Sequence, residues 1–176
     1  MISALIGYLF SIILVILDQV SKYLIVKNIP LFGQKVIIKD FFSLYYCQNT
    51  GSAFSMFADK SWGIYFLSIV SLALSFLIVV AIYQSMKIKS FWLRLSFVLF
   101  LAGAIGNLID RFRLKYVVDF LRFDFGSYTF PIFNFADICA VVATALLLIL
   151  VIFDNKTIDK FLTLFEKKGK KNDSKN

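Results

Sequence analysis

Four stretches of this chain, near residues 4–26, 62–83, 91–110 and 134–153, stay apolar for about the thickness of a bilayer. A helix needs about 20 such residues to cross a hydrocarbon core of roughly 30 Å. Lipid offers the backbone no hydrogen-bond partner, so each stretch is expected to be a helix. The composition agrees: 60% of residues are hydrophobic, against about 45–50% in soluble domains. The expected fold class is therefore all-α and integral to the membrane, a four-transmembrane-helix bundle.

Residues 1–155 are read as one membrane domain and 156–176 as a lysine-rich tail. The first apolar stretch has no basic segment before it and no small-residue cleavage site after it, so it is expected to be retained. The tail carries seven lysines after Asp154 and reads as disordered and solvated, close to anionic lipid. Four spans put both termini on one side. Lys87 and Lys89, Arg94 and the tail lysines place that side in the cytoplasm by the positive-inside rule. The first loop (Lys27, Lys35, Lys39, Lys60) and third loop (Arg111, Arg113, Lys115, Arg122) are also basic, but less densely.

Scarcity excludes several chemistries. The chain has no histidine, which removes His-based zinc motifs and Ser-His or Cys-His nucleophiles. Ser21 and Lys22 are adjacent and point to different helix faces, so a Ser–Lys pair is disfavoured. Cys47 and Cys139 lie in a loop and a span, which speaks against a disulfide. No nucleic-acid site is indicated, and neither a metal nor an organic cofactor is required.

The acids carry more information. Before Asp154 there are seven, all aspartates: Asp18, Asp40, Asp59, Asp110, Asp119, Asp124 and Asp137. A carboxylate near hydrocarbon is expensive unless it is paired or used. Asp18 and Lys22 lie one helical turn apart, and either form a neutralising ion pair or brace a nearby site. Gly103, Asn107 and Asp110 or Arg111 recur every three or four residues, a small-then-polar strip facing the bundle interior. In FNFAD (133–137), Asn134 is a favoured N-cap, and Asp137 suits the positive end of the helix dipole. Capping alone would explain both residues, but not why Asn107, Asp110 and Asp119 gather at the same depth. Two approaching carboxylates share one proton and can activate water. The apolar context of Asp119, in KYVVDF, favours its protonated form. A transporter relaying protons through these acids is the alternative; it would want them spread across the membrane, yet they crowd one face.

LDQVSK (17–22), NTGSAF (49–54), GNLIDR (106–111), VVDF (117–120) and FNFAD (133–137) occur in the order found in lipoprotein signal peptidases. On these motifs the chain resembles the signal peptidase II family of bacterial intramembrane aspartyl proteases. The resemblance implies a catalytic pair, Asp119 and Asp137. It implies that Asn107 and Arg111 meet the substrate backbone and that Asn49, Gly51 and Asn134 line the site. Asp18, Lys22 and Asp110 look like supporting residues. It also implies a prolipoprotein substrate cut just before a cysteine carrying diacylglycerol, at the outer face of the inner membrane. The enzyme is expected to be monomeric, with membrane lipids its other partners. The β-rich, aromatic first loop (35–49) matches a small extracytoplasmic sheet, expected to come mainly from that loop. Ser21 stands where the family often has threonine, a departure that leaves the acid pair untouched.

Overall fold

The computed structural model describes residues 2–51 and 62–173, with side chains placed for 5–51 and 62–165. The end of NTGSAF, with Asp59 and Lys60, lies outside the described residues. Four helices are long and apolar enough to cross a membrane: α1 (Ile2–Asn28), α2 (Gly63–Ser85), α3 (Phe91–Leu114) and α4 (Phe135–Phe153). Strands β1 (Gln34–Ile38) and β2 (Phe42–Asn49) follow α1, and β3 (Val117–Phe125) and β4 (Tyr128–Thr129) follow α3. A fifth helix, α5 (Asn155–Asp173), follows α4.

The helices are inverted relative to a soluble bundle because their solvent is lipid. On α1 the inward row is Ser11, Leu14, Asp18, Lys22 and Ile25, at steps of three and four, with Ile29 continuing it past the end. Leu, Ile and Val cover the outward faces. Buried Ser68 and Ser75 of α2 donate to Ile64 O and Ser71 O within their own helix, satisfying their hydroxyls. Exposed Trp62, the N-cap of α2, and exposed Tyr83 near its other end stand 21 residues apart. At 1.5 Å per residue that is about 32 Å, the spacing of two interfacial aromatic belts.

Helix α3 sits at the centre and packs against α1, α2 and α4. Ser90 caps its start by accepting from Leu93 N at 3.3 Å, and Lys115 ends it in the left-handed region at φ 67°. The helix runs one turn beyond the sequence-based limit of residue 110. Gly103 lets α4 approach: a Cβ there would lie 2.6 Å from the Ala136 carbonyl oxygen. In lipid, where no hydrophobic drive separates helix contacts from tail contacts, such close packing supplies much of the cohesion.

The four strands form one antiparallel sheet in the order β1-β2-β3-β4. It is shared between the first and third loops, which corrects the expectation that it comes mainly from the first. Leu44 pairs with Leu121 and Cys47 with Asp119, so β2 gains one residue over β3 between these points. This bulge re-aims the strand next to Asp119. Ile25, Ile29, Tyr46, Val118 and Phe120 form the core between α1 and the sheet.

The segment after Asp154 also departs from expectation, being helical rather than disordered. Phe161 joins a buried cluster with Ile88, Leu93 and Leu150, and Ile158 and Leu164 pack against it. Apolar residues at steps of three dock α5 on the bundle end despite its lysines.

The α3–α4 contact is open to a direct test. Gly103→Ala should destabilise the protein by about 1–3 kcal/mol through overpacking against a backbone oxygen. Phe112→Ala, on the exposed face of α3, should leave thermal unfolding in detergent nearly unchanged.

Candidate active site

A buried ammonium organises the sheet end of the bundle. Lys22 Nζ lies 2.9 Å from Asp18 Oδ2 and 2.9 Å from Asp110 Oδ2, and donates to Asn107 Oδ1 at 3.0 Å. All three N–H donors of the lysine are thereby engaged. Asp18, Lys22 and Asp110 are at most 3% exposed.

The two acids pass this order to the backbone. Asp18 Oδ1 accepts from Ala136 N at 2.9 Å, satisfying a donor of the first turn of α4. Asp110 Oδ2 accepts from Val118 N at 3.1 Å, pinning the start of β3. Gln19 Nε2 bridges Asp18 Oδ2 (3.2 Å), Gly106 O (3.1 Å) and Asp110 Oδ1 (3.0 Å). Gln19 was missed at the sequence level, although it lies three residues from Lys22 on the same helix. Ser21 is no rival nucleophile partner: its hydroxyl donates to Asp18 O at 2.7 Å, while Lys22 is held in the ion cluster.

Asparagines connect the cluster to the acid pair. Asn107 Nδ2 donates to Asp137 Oδ1 at 2.8 Å. Asn134 Nδ2 donates to Asp119 Oδ1 at 2.7 Å and to Asn107 Oδ1 at 3.0 Å. Asn134 also forms a complete capping box, its Oδ1 accepting from Asp137 N at 3.0 Å and its N–H donating to Asp137 Oδ2 at 3.0 Å. Asn49 Nδ2 donates to Asp119 Oδ2 at 2.9 Å, and its Oδ1 accepts from Gly51 N at 2.9 Å. Gly51 thus acts through Asn49.

Asp119 is brought to Asp137 by local stitching. Phe133, just before α4, accepts from Phe120 N (3.0 Å) and Leu121 N (2.8 Å), and donates to Leu121 O (3.2 Å). Asn134 therefore sits beside β3 as well as at the start of α4. Both acids line one cavity of about 400 Å³, with Asn49, Asn107 and Arg111 on its polar side. Phe130, Pro131, Ile132 and Val141 form much of the apolar side. Arg111 Nη1 donates to Ser71 Oγ at 3.4 Å, while its buried Nε has no hydrogen-bond partner among the described residues. A donor is thus held beside the acids.

Burial, and secondarily the charge of Asp137, push the Asp119 carboxyl up to about 7. Hydrogen bonds from Asn49 and Asn134 oppose the shift. Cys47, the cross-strand partner of Asp119, is pushed up to about 12 by burial and by that acid, which keeps it an inert thiol. The middles of α2, α3 and α4 hold no carboxylate, so the transporter alternative finds no support.

The fold and this site define a class: an integral membrane protein whose acid pair faces a half-apolar cavity at one end of a four-helix bundle. The same architecture exists in solved bacterial membrane enzymes determined by the in meso method. One superposes with a TM-score of 0.72 at 28% identity, covering 85% of this chain and 88% of that one. Another gives 0.71 at 29% identity, covering 84% and 93%. The family model for signal peptidase (SPase) II matches residues 10–153. The chain belongs to the signal peptidase II family, and is a peptidase. A lipoprotein signal peptidase of Enterococcus faecalis is 44% identical over 149 residues, 85% of this chain and 89% of the relative. One from Streptococcus pyogenes is 42% identical over 139 residues, 78% of this chain and 87% of the relative.

Lys22→Met should leave two acids buried without their cation and cost about 3–5 kcal/mol. Combining it with Asp18→Asn and Asp110→Asn should recover part of the loss. Unfolding midpoints of the single and triple variants in one detergent check both outcomes.

Proposed function

We propose that this peptidase removes signal peptides from prolipoproteins, cutting just before a diacylglyceryl-modified cysteine, with Asp119 and Asp137 as its catalytic pair. The observation that carries the reading is the single cavity onto which both carboxylates open, each held by asparagine amides, in a chain of this family. Its half-apolar lining suits a substrate that arrives from the membrane with an apolar helix and acyl chains.

The chemistry follows from the proton that the pair shares. Asp137, ionised, takes a proton from water as the water oxygen attacks the scissile carbonyl carbon. Asp119, protonated, gives its proton to the carbonyl oxygen, producing a tetrahedral diol. Asp137 then passes its proton to the amide nitrogen as the C–N bond breaks. Asp119 recovers a proton as the carbonyl re-forms, so the pair returns to its starting state. Arg111 and Asn107 are placed to meet the peptide backbone.

Lys87, Lys89 and α5 lie at the bundle end away from the acids. By the positive-inside rule this supports cytoplasmic termini and α5, with the sheet and the acid pair at the outer face.

Incubation of the purified protein with a diacylglyceryl-modified prolipoprotein should release the signal peptide. Asp119→Asn and Asp137→Asn should each lower turnover by at least about 100-fold, the lower range for loss of an acid–base group. Wild-type turnover in either variant would reject the assignment, and efficient cleavage of unlipidated substrate would reject the substrate class.

The pH profile has a defined sign. Asp119 keeps its proton below about 7 and loses it above, so the turnover rate should decline through about pH 7. Asn49 hydrogen-bonds the ionised form and holds this value down. Asn49→Ala should therefore move the descending limb to higher pH, measured as initial rates across buffers of constant ionic strength.

A further inference from the structure

A second cleft, of about 220 Å³, lies at the opposite end of the bundle between α1, α2 and α3. Ile6, Phe10, Ile82, Leu95 and Val98 wall it, and Arg94 is its one charged lining residue. Ile6 and Phe10 are exposed on the lipid-facing side of α1, so the cleft can be entered from the bilayer. It is smaller than the roughly 300–1,000 Å³ of drug-like pockets and suits a single hydrocarbon chain.

Arg94 has no balancing group among the described residues. It is half-buried and makes no hydrogen bond or ion pair among the described residues. It is the fourth residue of α3 after the Ser90 cap, where the helix dipole disfavours a cation. No acid occurs between Met86 and Val98, while Lys87 and Lys89 add positive charge. Asp154, at the same end of the bundle, accepts from Thr157 of its own turn. A guanidinium in an apolar cleft is costly unless an anion meets it.

The depth of the cleft identifies where that anion comes from. Exposed Phe91 and Trp92 precede Arg94 by less than one turn, and exposed Tyr83 marks the same end of α2. These aromatic groups belong at the membrane–water boundary, which sets Arg94 at the level of lipid phosphates with hydrocarbon beside it.

We propose that this cleft binds one anionic phospholipid, its phosphate on Arg94 and one acyl chain between α1 and α3. At this level α1 is otherwise tied only lightly: Tyr8 donates to Val79 O at 3.0 Å and Ser11 to Val98 O at 3.0 Å. The lipid acts as a wedge that steadies the helix carrying Asp18 and Lys22.

The test uses the full chain, stripped of lipid in detergent, and follows thermal unfolding with added phosphatidylglycerol or phosphatidylcholine of identical chains. Phosphatidylglycerol should raise the midpoint by about 5 °C more than phosphatidylcholine at saturation. Arg94→Gln should abolish that difference, and Leu95→Trp, which fills the cleft, should abolish it too. Lys35→Gln, on exposed β1, should keep it. Because the readout is a difference between two lipids, a variant that is less stable in both still reports. Equal midpoints for the two lipids in the wild type, or a full difference in Arg94→Gln, would overturn the proposal. Equal protection by inorganic phosphate would show a bare anion site, and loss only in Lys87→Gln/Lys89→Gln would show diffuse surface charge; either rejects the lipid site.

Discussion

The Lys22 ammonium is the contact from which the sheet end of this enzyme is built. Two carboxylates and one amide oxygen meet it within 3.0 Å, and each group then holds something else. Asp18 holds the first turn of α4, Asp110 holds the start of β3, and Asn107 holds Asp137. In water, a hydrophobic face would bring such elements together. In lipid it cannot, because tails are as apolar as leucine, so close small-residue contacts and satisfied polar groups must choose the arrangement. Gly106 shows both at once: a Cβ there would lie 2.7 Å from Asp18 Oδ2 and 3.0 Å from Ala136 Cβ.

The asparagines extend the same logic by direction. An amide side chain has an acceptor end and a donor end, and fixing one end aims the other. Asn107 presents its oxygen to Lys22, so its nitrogen faces Asp137. Asn134 gives its oxygen to Asp137 N, and its nitrogen faces Asp119. Asn49 gives its oxygen to Gly51 N, and its nitrogen also faces Asp119. Three amides are each oriented by a donor that cannot be inverted, which is how donors come to face both acids. A carboxylate in any of these places would present an acceptor to an acceptor.

Much of this was legible in the chain, for reasons that differ by element. The spans could be read because lipid imposes length and apolarity, and α4 could be started at Asn134 because its cap and Pro131 are local signals. That Asp18, Asp110 and Asp137 lie toward one face followed from four spans alternating in direction. The strand β3 could not be read so directly: VVDFLRFDF carries three charges, and its partner β2 lies some 70 residues away. The extra residue in β2 that sets the register at Asp119 is likewise a property of the pairing, with no mark in either strand alone. Helix α5 was obscured by composition, since its lysines outweigh the three-residue recurrence of Ile158, Phe161 and Leu164. Gln19 was hidden by being polar among polar neighbours; only the closeness of Asp18 and Asp110 gives it a task.

Using the helix cap as part of the acid pair raises a problem of capacity, which counting lone pairs resolves. An ionised carboxylate offers about four acceptor positions. Asp137 spends one on the Asn134 N–H and one on the Asn107 amide, each on a different oxygen. Asp119 likewise takes one amide on each oxygen, from Asn134 and Asn49. Every oxygen of the pair therefore retains one position after being held in place. Two bonds per carboxylate fix its plane, and the remaining positions can serve a water and the shared proton. Capping does not compete with the proposed chemistry: it removes the rotational freedom that a catalytic carboxylate would otherwise have to lose when substrate arrives.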